Sequence, residues 1–395
     1  MNTERSNNGS RGTSQSGIRH YNQRLALSLI RKAGSLPKAE IARLTGLSAQ
    51  TASVIVRQLE RDGLVVAGSP QRGKVGQPLI PFSLDPEGAF SIGLKVGRRS
   101  GSLMLLDLTG AVRKSIHQAY QFPTPQEVVN FISTGVAALI ADLSPAQRQK
   151  ISGLGVAAPF ELWNWEQETG APHAVLEAWR SFDLAAETRR LFEWPVHFCN
   201  DATAACAAEL LLGKGQNLRD YGYFYVGYFV GGGIVIDGSL YQGRTGNAGA
   251  FGSFPIGNRQ LIYTASLHAL EQDLIRQGID SSVLWNAAGD WGNVGEALDR
   301  WVETAAADLA QACVGAACVI EPAAIVIDGA MPPHVRAKLV ARVTAKLVTA
   351  NLQGVTPFTV VEGSIGVDAR AMGAACLPLF ANFITDRDMI FKESD

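Results

Sequence analysis

The stretch IGLKVGRRSGSLMLLDLTG, residues 92 to 110, sets an apolar run and a glycine ahead of a tight basic turn and a second apolar run. Two such runs around a glycine predict a β-hairpin, with the outline of a loop that wraps the phosphates of a nucleotide. The residues inside that outline disagree with the chemistry. A phosphate loop needs small residues so that backbone N–H groups can approach the anion, and an acidic residue to help position the metal. Lys95, Arg98 and Arg99 stand there instead. The plainest expectation is a charged turn held in solvent; the sharper one is a site for an acidic ligand or a DNA phosphate.

Outward from this hairpin the chain alternates strand-like runs with helical ones. ISGLGVAAP, GYFYVGYFV, GGGIVIDG and AAIVIDGA read as strands, and residues 125–142, 201–213, 294–319 and 333–349 as helices. Such alternation predicts an α/β body. At 395 residues the chain has room for two or three domains. A hydrophobic share of 47% and a charged share of 18% fit a globular protein, and no apolar run approaches the roughly 20 residues that would span a bilayer. The polar N-terminus MNTERSNNGSRGTSQSG lacks the apolar core of a signal peptide, which predicts a cytoplasmic protein. Five cysteines (199, 206, 313, 318 and 376) show no CxxC pairing, so neither a disulfide framework nor a cysteine metal site is expected; they read as small buried hydrophobes.

The net charge of -1 conceals an asymmetry. Residues 1–80 carry twelve Lys or Arg and four Asp or Glu, a surplus of +8 that leaves -9 on the rest. A basic head on an acidic body suggests that the head meets a polyanion. Within it, KAEIARLTGLSAQTASVIVRQL, residues 38–59, has the spacing of a helix-turn-helix: Ala42 where two helices meet closely, Gly46 for the turn, and Ile41, Leu47, Ala52 and Ile55 facing inward. Ser48 is placed to cap the second helix. Ala49, Gln50, Thr51, Ser53 and Arg57 then lie on its outer side, with Gln50 suited to adenine, Thr51 and Ser53 to several base edges and Arg57 to a phosphate. A hairpin follows, its tip carrying Arg72 and Lys74. Together these features predict a winged helix-turn-helix that binds double-stranded DNA.

From about residue 19 to 380 the chain resembles the ROK family of sugar kinases and sugar-responsive regulators. The resemblance rests on GLSAQTASVIVRQLERDGLV, GLGVAAP, CNDATAACAAE, GGGIVIDGSLYQGRTGNAGAFGS and EPAAIVIDGA, in that order. It implies an actin-like, ribonuclease H-like pair of α/β lobes with a ligand cleft between them. It also implies that Lys95 takes the place of the Asp that opens the kinase body, and that Tyr228 and Phe229 replace the small residues of a second phosphate loop. Asn200 and Asp201 match the sugar-holding Asn and the general base, although a residue at this strand-to-helix junction can also serve as a helix cap. Ala250 and Ser253 stand where the family has a Glu and a zinc-binding His, no cysteine loop follows, and Ile262 falls near the place of a further sugar-binding Glu. No metal and no cofactor are therefore expected. Trp163 and Trp165 offer faces on which a sugar ring could stack.

The expected organisation is a disordered tail over 1–18, a winged helix-turn-helix over 19–84, a first lobe over 88–198 completed by a C-terminal helix over 366–385, and a second lobe over 199–365. The expected function is a cytoplasmic DNA-binding regulator, a repressor of carbohydrate or polyol genes, with no enzymatic activity. Its partners would be operator DNA, a sugar or polyol effector held by Asn200, Asp201, Ser253, Trp163 and Trp165, and a second copy in a homodimer or homotetramer, with no membrane. The alternatives are a sugar kinase with an appended DNA-binding head, and a regulator with an empty cleft controlled by a protein partner.

Overall fold

The computed structural model describes residues 15–71, 79–159, 161–164, 170–285 and 291–385. It divides into two compact units, one reaching to Ala89 and taking in the segment from Leu379, the other running from Phe90 to Pro378.

The first unit is built on α1 (Gln15–Ala33), α2 (Lys38–Thr45) and α3 (Ala49–Arg61). Helix α1 begins at Gln15, inside the stretch expected to be disordered, while residues 1–14 lie outside the described chain. Apolar residues at helical spacing meet in its core: Ala26 and Ile30 from α1, Ile41 from α2, and Ala52, Val56 and Leu59 from α3. Leu47, expected to face inward, is only half-buried. Between α2 and α3 the chain reverses at Gly46, whose φ of 70° lies in the left-handed region that suits glycine. A small sheet of β1 (Leu36–Pro37), β2 (Val65–Ala67) and β3 (Pro81–Leu84), in the order β1-β3-β2, completes the unit.

The second unit repeats one topology twice. The first sheet holds β4 (Phe90–Val96), β5 (Ser100–Asp107), β6 (Val112–Ala119), β7 (Ile151–Ala158) and β8 (Val196–Asn200), in the order β6-β5-β4-β7-β8. Along the chain follow β9 (Tyr221–Val226), β10 (Val230–Ile236), β11 (Ser239–Tyr241), the small hairpin β12 (Pro255–Ile256) and β13 (Arg259–Gln260), then β14 (Ala324–Gly329) and β15 (Thr359–Glu362). The second sheet runs β11-β10-β9-β14-β15. In both sheets the first three strands form an antiparallel meander and the last two add in parallel. Central strands with helices on their faces are buried along their length, as in β4 and β9, where every residue is buried, Ser91 and Lys95 of β4 included. The helices Pro125–Leu139, Asp201–Leu212, Gly295–Ile320 and Pro333–Val348 fall within a few residues of their predicted spans.

Two glycines let a helix lie directly on the first sheet. A Cβ on Gly155 would sit 1.8 Å from the Ala374 carbonyl oxygen, and one on Gly93 would sit 2.4 Å from the backbone of Ala371 and Ala375. The helix Ala369–Phe383 therefore brings its first turn to the C-terminal ends of β4 and β7. The helix Gly295–Ile320 is long and apolar enough, by length and composition, to cross a membrane, contrary to the sequence expectation. Its Trp301, Ala305, Leu309 and Cys313 are buried in the core of the second sheet, while Asp299 pairs with Lys338 and Glu303 with Arg342 and Lys346. Of the five cysteines all but Cys318 are buried; Cys318 is exposed.

Candidate functional site

Helix α3 begins at a working cap. Ser48 Oγ accepts from the Thr51 backbone N–H at 3.1 Å and lies 2.8 Å from Thr51 Oγ1. Gln50, Thr51 and Arg57 are exposed on the helix, while Ser53 is half-buried and so less open to a partner than expected. Between Gln50 and Arg57 the structure adds Val54, 47% exposed, an apolar group of the kind that meets a thymine methyl. A β-branched residue on the open face of a polar helix was the signal in the sequence for this position. Arg72 and Lys74 lie outside the described residues. Ser48→Ala is expected to cost about 1 kcal/mol of helix stability, read as faster amide exchange across Ala49–Arg61 in the full-length protein.

In the body, the opening stretch forms the hairpin of β4 and β5, and its cations differ: Lys95 is buried, Arg98 half-buried and Arg99 exposed. Lys95, at the end of β4, is 7% exposed. Its Nζ donates to Ser100 O at 3.0 Å and to Ser100 Oγ at 2.9 Å, filling the space that a Cβ on Gly97 would enter. The Arg98 guanidinium lies 4.4 Å from the Phe229 ring centroid and that of Arg99 5.5 Å from Tyr228. Guanidinium groups on aromatic faces attract and exclude water together. The two loops that depart from the phosphate-binding pattern thus pack on each other: the basic turn of one sheet is received by the aromatic turn of the other. Tyr228 also packs, tilted by 43°, against His268 and Trp285, with ring centroids 5.1 and 5.4 Å away. Glu271 accepts from Trp285 Nε1 at 2.9 Å and stands 4.0 Å from Arg99. Ordinary solvation is an incomplete description because aromatic partners more than a hundred residues away also hold Arg98 and Arg99, the latter with 43% of its side chain exposed.

Asn200 and Asp201, at the β8 to helix junction, take different roles. Asn200 Oδ1 accepts from the backbone N–H of Ala202 at 2.9 Å and Thr203 at 3.4 Å, making it the cap of Asp201–Leu212. Asp201 instead forms an ion pair, its Oδ2 accepting from Arg370 Nη1 at 3.1 Å. Arg370 also covers the Tyr225 ring at 4.9 Å. Burial opposes the charge of this guanidinium, but Tyr225 and Asp201 beside it win and raise its pKa. Sequence reasoning missed Arg370. The signal was one arginine inside the otherwise apolar run ARAMGAACLPLF, since a lone charge in such a helix must find a partner if it faces inward.

A cavity of about 120 Å³ opens over this pair. Asn200, Asp201, Arg370, Arg98, Asn247 and Ser253 provide its polar lining. Ile262 lines it too, so an apolar wall stands where the resemblance implied a carboxylate. Trp163 does not line it: the ring packs against the core of the first sheet, because the short turn Leu162–Asn164 buries Leu162 beside it. Trp165 lies outside the described residues. Among the described residues no three His, Cys, Asp or Glu side chains gather as metal ligands would.

These features can be set beside known proteins. Residues 19–66 match the model of a winged helix-turn-helix DNA-binding domain and residues 91–379 that of the ROK family. An uncharacterised protein of Sinorhizobium fredii is 28% identical over 92% of both chains. The xylose repressor of Bacillus subtilis is 23% identical over 61% of this chain and 62% of its own length. The dual regulator NagC of Escherichia coli is 24% identical over 67% and 68%. Among solved structures, a ROK family transcriptional regulator described as a homologue of the E. coli Mlc protein superposes with a TM-score of 0.65 at 19% identity, covering 93% of this chain and 98% of that one. A ROK family glucokinase from Streptomyces griseus, in complex with glucose and AMPPNP, gives 0.57 at 20% identity over 73% and 99%. With three quarters of its length matched to one family model, and a DNA-binding head on a body that shares the fold of sugar kinases, the chain belongs to the ROK family.

Proposed function

We propose that the protein is a cytoplasmic transcriptional repressor that binds a pseudo-palindromic operator as a homodimer or homotetramer and answers to a sugar or polyol in the cleft of a body without kinase activity. The observation that carries this reading is the exposure of Gln50, Thr51, Val54 and Arg57 on a helix whose N-terminus is fixed by Ser48. A rigid helix with polar side chains near its start is the form that enters a major groove. Relatives named for xylose and N-acetylglucosamine support a carbohydrate as effector. We place the DNA-binding domain at 19–84, the first lobe at 88–198 with a C-terminal helix, and the second lobe at 199–365. Arg72 and Lys74 complete the DNA contacts from the wing.

Gln50→Ala is expected to weaken operator binding by about 1–3 kcal/mol and to leave binding to random duplex nearly unchanged. Arg57→Ala should weaken both alike and lower the slope of affinity against salt by about one charge. Titration of each variant on operator and random DNA at several salt concentrations is the test. Equal losses on both DNAs for Gln50→Ala would remove it from the base-reading set.

In the cleft, Asn200, Asn247 and Ser253 are the hydroxyl-binding groups of this proposal, with Asp201 accepting through the oxygen not held by Arg370. Phosphoryl transfer needs a metal and small, close backbone around the phosphates. Lys95, Arg98, Arg99, Tyr228 and Phe229 oppose both. The expected result of a coupled assay over a panel of hexoses and pentoses is no sugar-dependent ADP release, and turnover that disappears in Asp201→Ala would refute the reading.

A further inference from the structure

Next to the hydroxyl-lined cavity the same body holds a larger one of about 640 Å³, a volume ordinary for small-metabolite sites. Its lining carries Lys95, Arg98, Arg99, Arg336 and Arg370 against one carboxylate, Asp368. Three of these cations are already answered by protein anions: Arg99 by Glu271 at 4.0 Å, Arg336 by Asp328 at 2.9 Å, and Arg370 by Asp201 at 3.1 Å. Lys95 is different. Among the described residues no carboxylate comes within ion-pair distance of it, and its two hydrogen bonds both end on the neutral Ser100. An ammonium has three donors, so one proton of a group 93% buried lacks a protein acceptor.

The charges around Lys95 sharpen the point. Arg370 and Arg98 act on it as like charges and Asp201 as the opposing one. With Asp201 engaged by Arg370, Lys95 keeps only Ser100 as its hydrogen-bond partner. Burial, together with the neighbouring Arg370, pushes the Lys95 pKa well below the ordinary lysine range, with Asp201 pulling it back. A buried ammonium facing two guanidinium groups is costly unless an anion joins them.

We propose that this cavity is a binding site for a small organic oxyanion, a phosphate ester or a carboxylate, taken without a metal ion, with Lys95 and Arg98 as its principal ligands and the Tyr228 and Trp285 rings along its wall. Charge-assisted hydrogen bonds from an ammonium and a guanidinium suit either anion, and both cations stand where a divalent ion would be repelled. The site does not depend on what occupies the hydroxyl-lined cavity. Arg98 and Arg370 line both cavities, so a ligand carrying hydroxyls and an anionic group would reach from one into the other.

The test is calorimetric titration of the full-length protein with inorganic phosphate, a hexose 6-phosphate, a hexuronate, the matching neutral hexose and Mg-ATP, with and without EDTA. Phosphate and at least one organic oxyanion are expected to bind, unaffected by EDTA, with Mg-ATP weaker than either. The hexose 6-phosphate and hexuronate arms decide between phosphoryl and carboxylate. Lys95→Met is expected to weaken oxyanion binding at least tenfold while raising the thermal midpoint of the ligand-free protein, because it replaces an unpaired buried charge with an apolar chain of similar length. Arg98→Gln, which keeps length and polarity, should weaken binding several-fold and serves if Lys95→Met does not fold. Absence of any oxyanion binding up to millimolar concentration, or unchanged oxyanion affinity in these variants, would overturn the proposal. A response to the neutral hexose alone would do so too, while leaving the sugar-regulated repressor standing. Oxyanion binding without any effect on operator affinity would support the site and leave the sugar-regulated repressor standing.

Discussion

Asp201→Asn is expected to destabilise the body by about 3–5 kcal/mol, the range for breaking a buried ion pair from one side, and by more than Arg370→Met does. The two side chains are 12% and 16% exposed, so both are largely removed from water. Their surroundings are not symmetric. Removing the carboxylate takes away the charge that opposes Arg370 and Arg98 at Lys95, whereas removing the guanidinium relieves its repulsion with Lys95. The depressed pKa of Lys95 limits the damage, since that group can release its proton. Thermal midpoints should therefore fall in the order wild type, Arg370→Met, Asp201→Asn, and Lys95→Met added to Asp201→Asn should recover much of the loss. The reverse order would show that the pair, not the cationic surplus, sets the balance. Asn200→Ala, by contrast, removes only a cap and should cost about 1 kcal/mol.

Arg336→Met should be of similar size. Asp328, at the end of β14, is fully buried and accepts from Arg336 Nη1 at 2.9 Å, the Gly366 N–H at 2.9 Å and the Tyr223 hydroxyl at 3.1 Å. Without the guanidinium two neutral donors remain around a buried carboxylate, and a loss of about 3–5 kcal/mol is expected. Adding Asp328→Asn to Arg336→Met removes the stranded charge and should restore at least half of the lost midpoint. No recovery in the double variant would mean that Arg336 acts through packing, its stem and not its charge.

What the sequence made legible was local. Gly46 and Ser48 announce a turn and a cap by residue type alone, and the apolar periods of β7, β9, β10 and β14 need no knowledge of their neighbours. The exposed side of α3 follows from helical spacing once Ser48 fixes the start, although Val54 is outside and Ser53 half inside. The cleft was legible only where chain neighbours make it, as at Asn200. Arg370 reaches Asp201 across 169 residues, and Phe229 receives Arg98 across a similar gap in the fold, so neither pairing leaves a periodic trace. Trp163 was misplaced for the opposite reason: an aromatic residue near a cleft motif looks like a stacking face until its burial against the first sheet is seen.

The stacking of Arg98 and Arg99 on Phe229 and Tyr228 has an evolutionary consequence. Each turn fills the room that the other would need to hold a phosphate. Returning the basic turn to small residues would strip two buried aromatic rings of their cover, while returning the aromatic turn would leave two arginines without their platforms. Either single step lowers stability before any catalytic benefit exists, and only simultaneous change in both turns escapes the penalty. The interlocked turns therefore act as a ratchet: neither can be exchanged for small residues alone without loss, and exchange at both together is what avoids it.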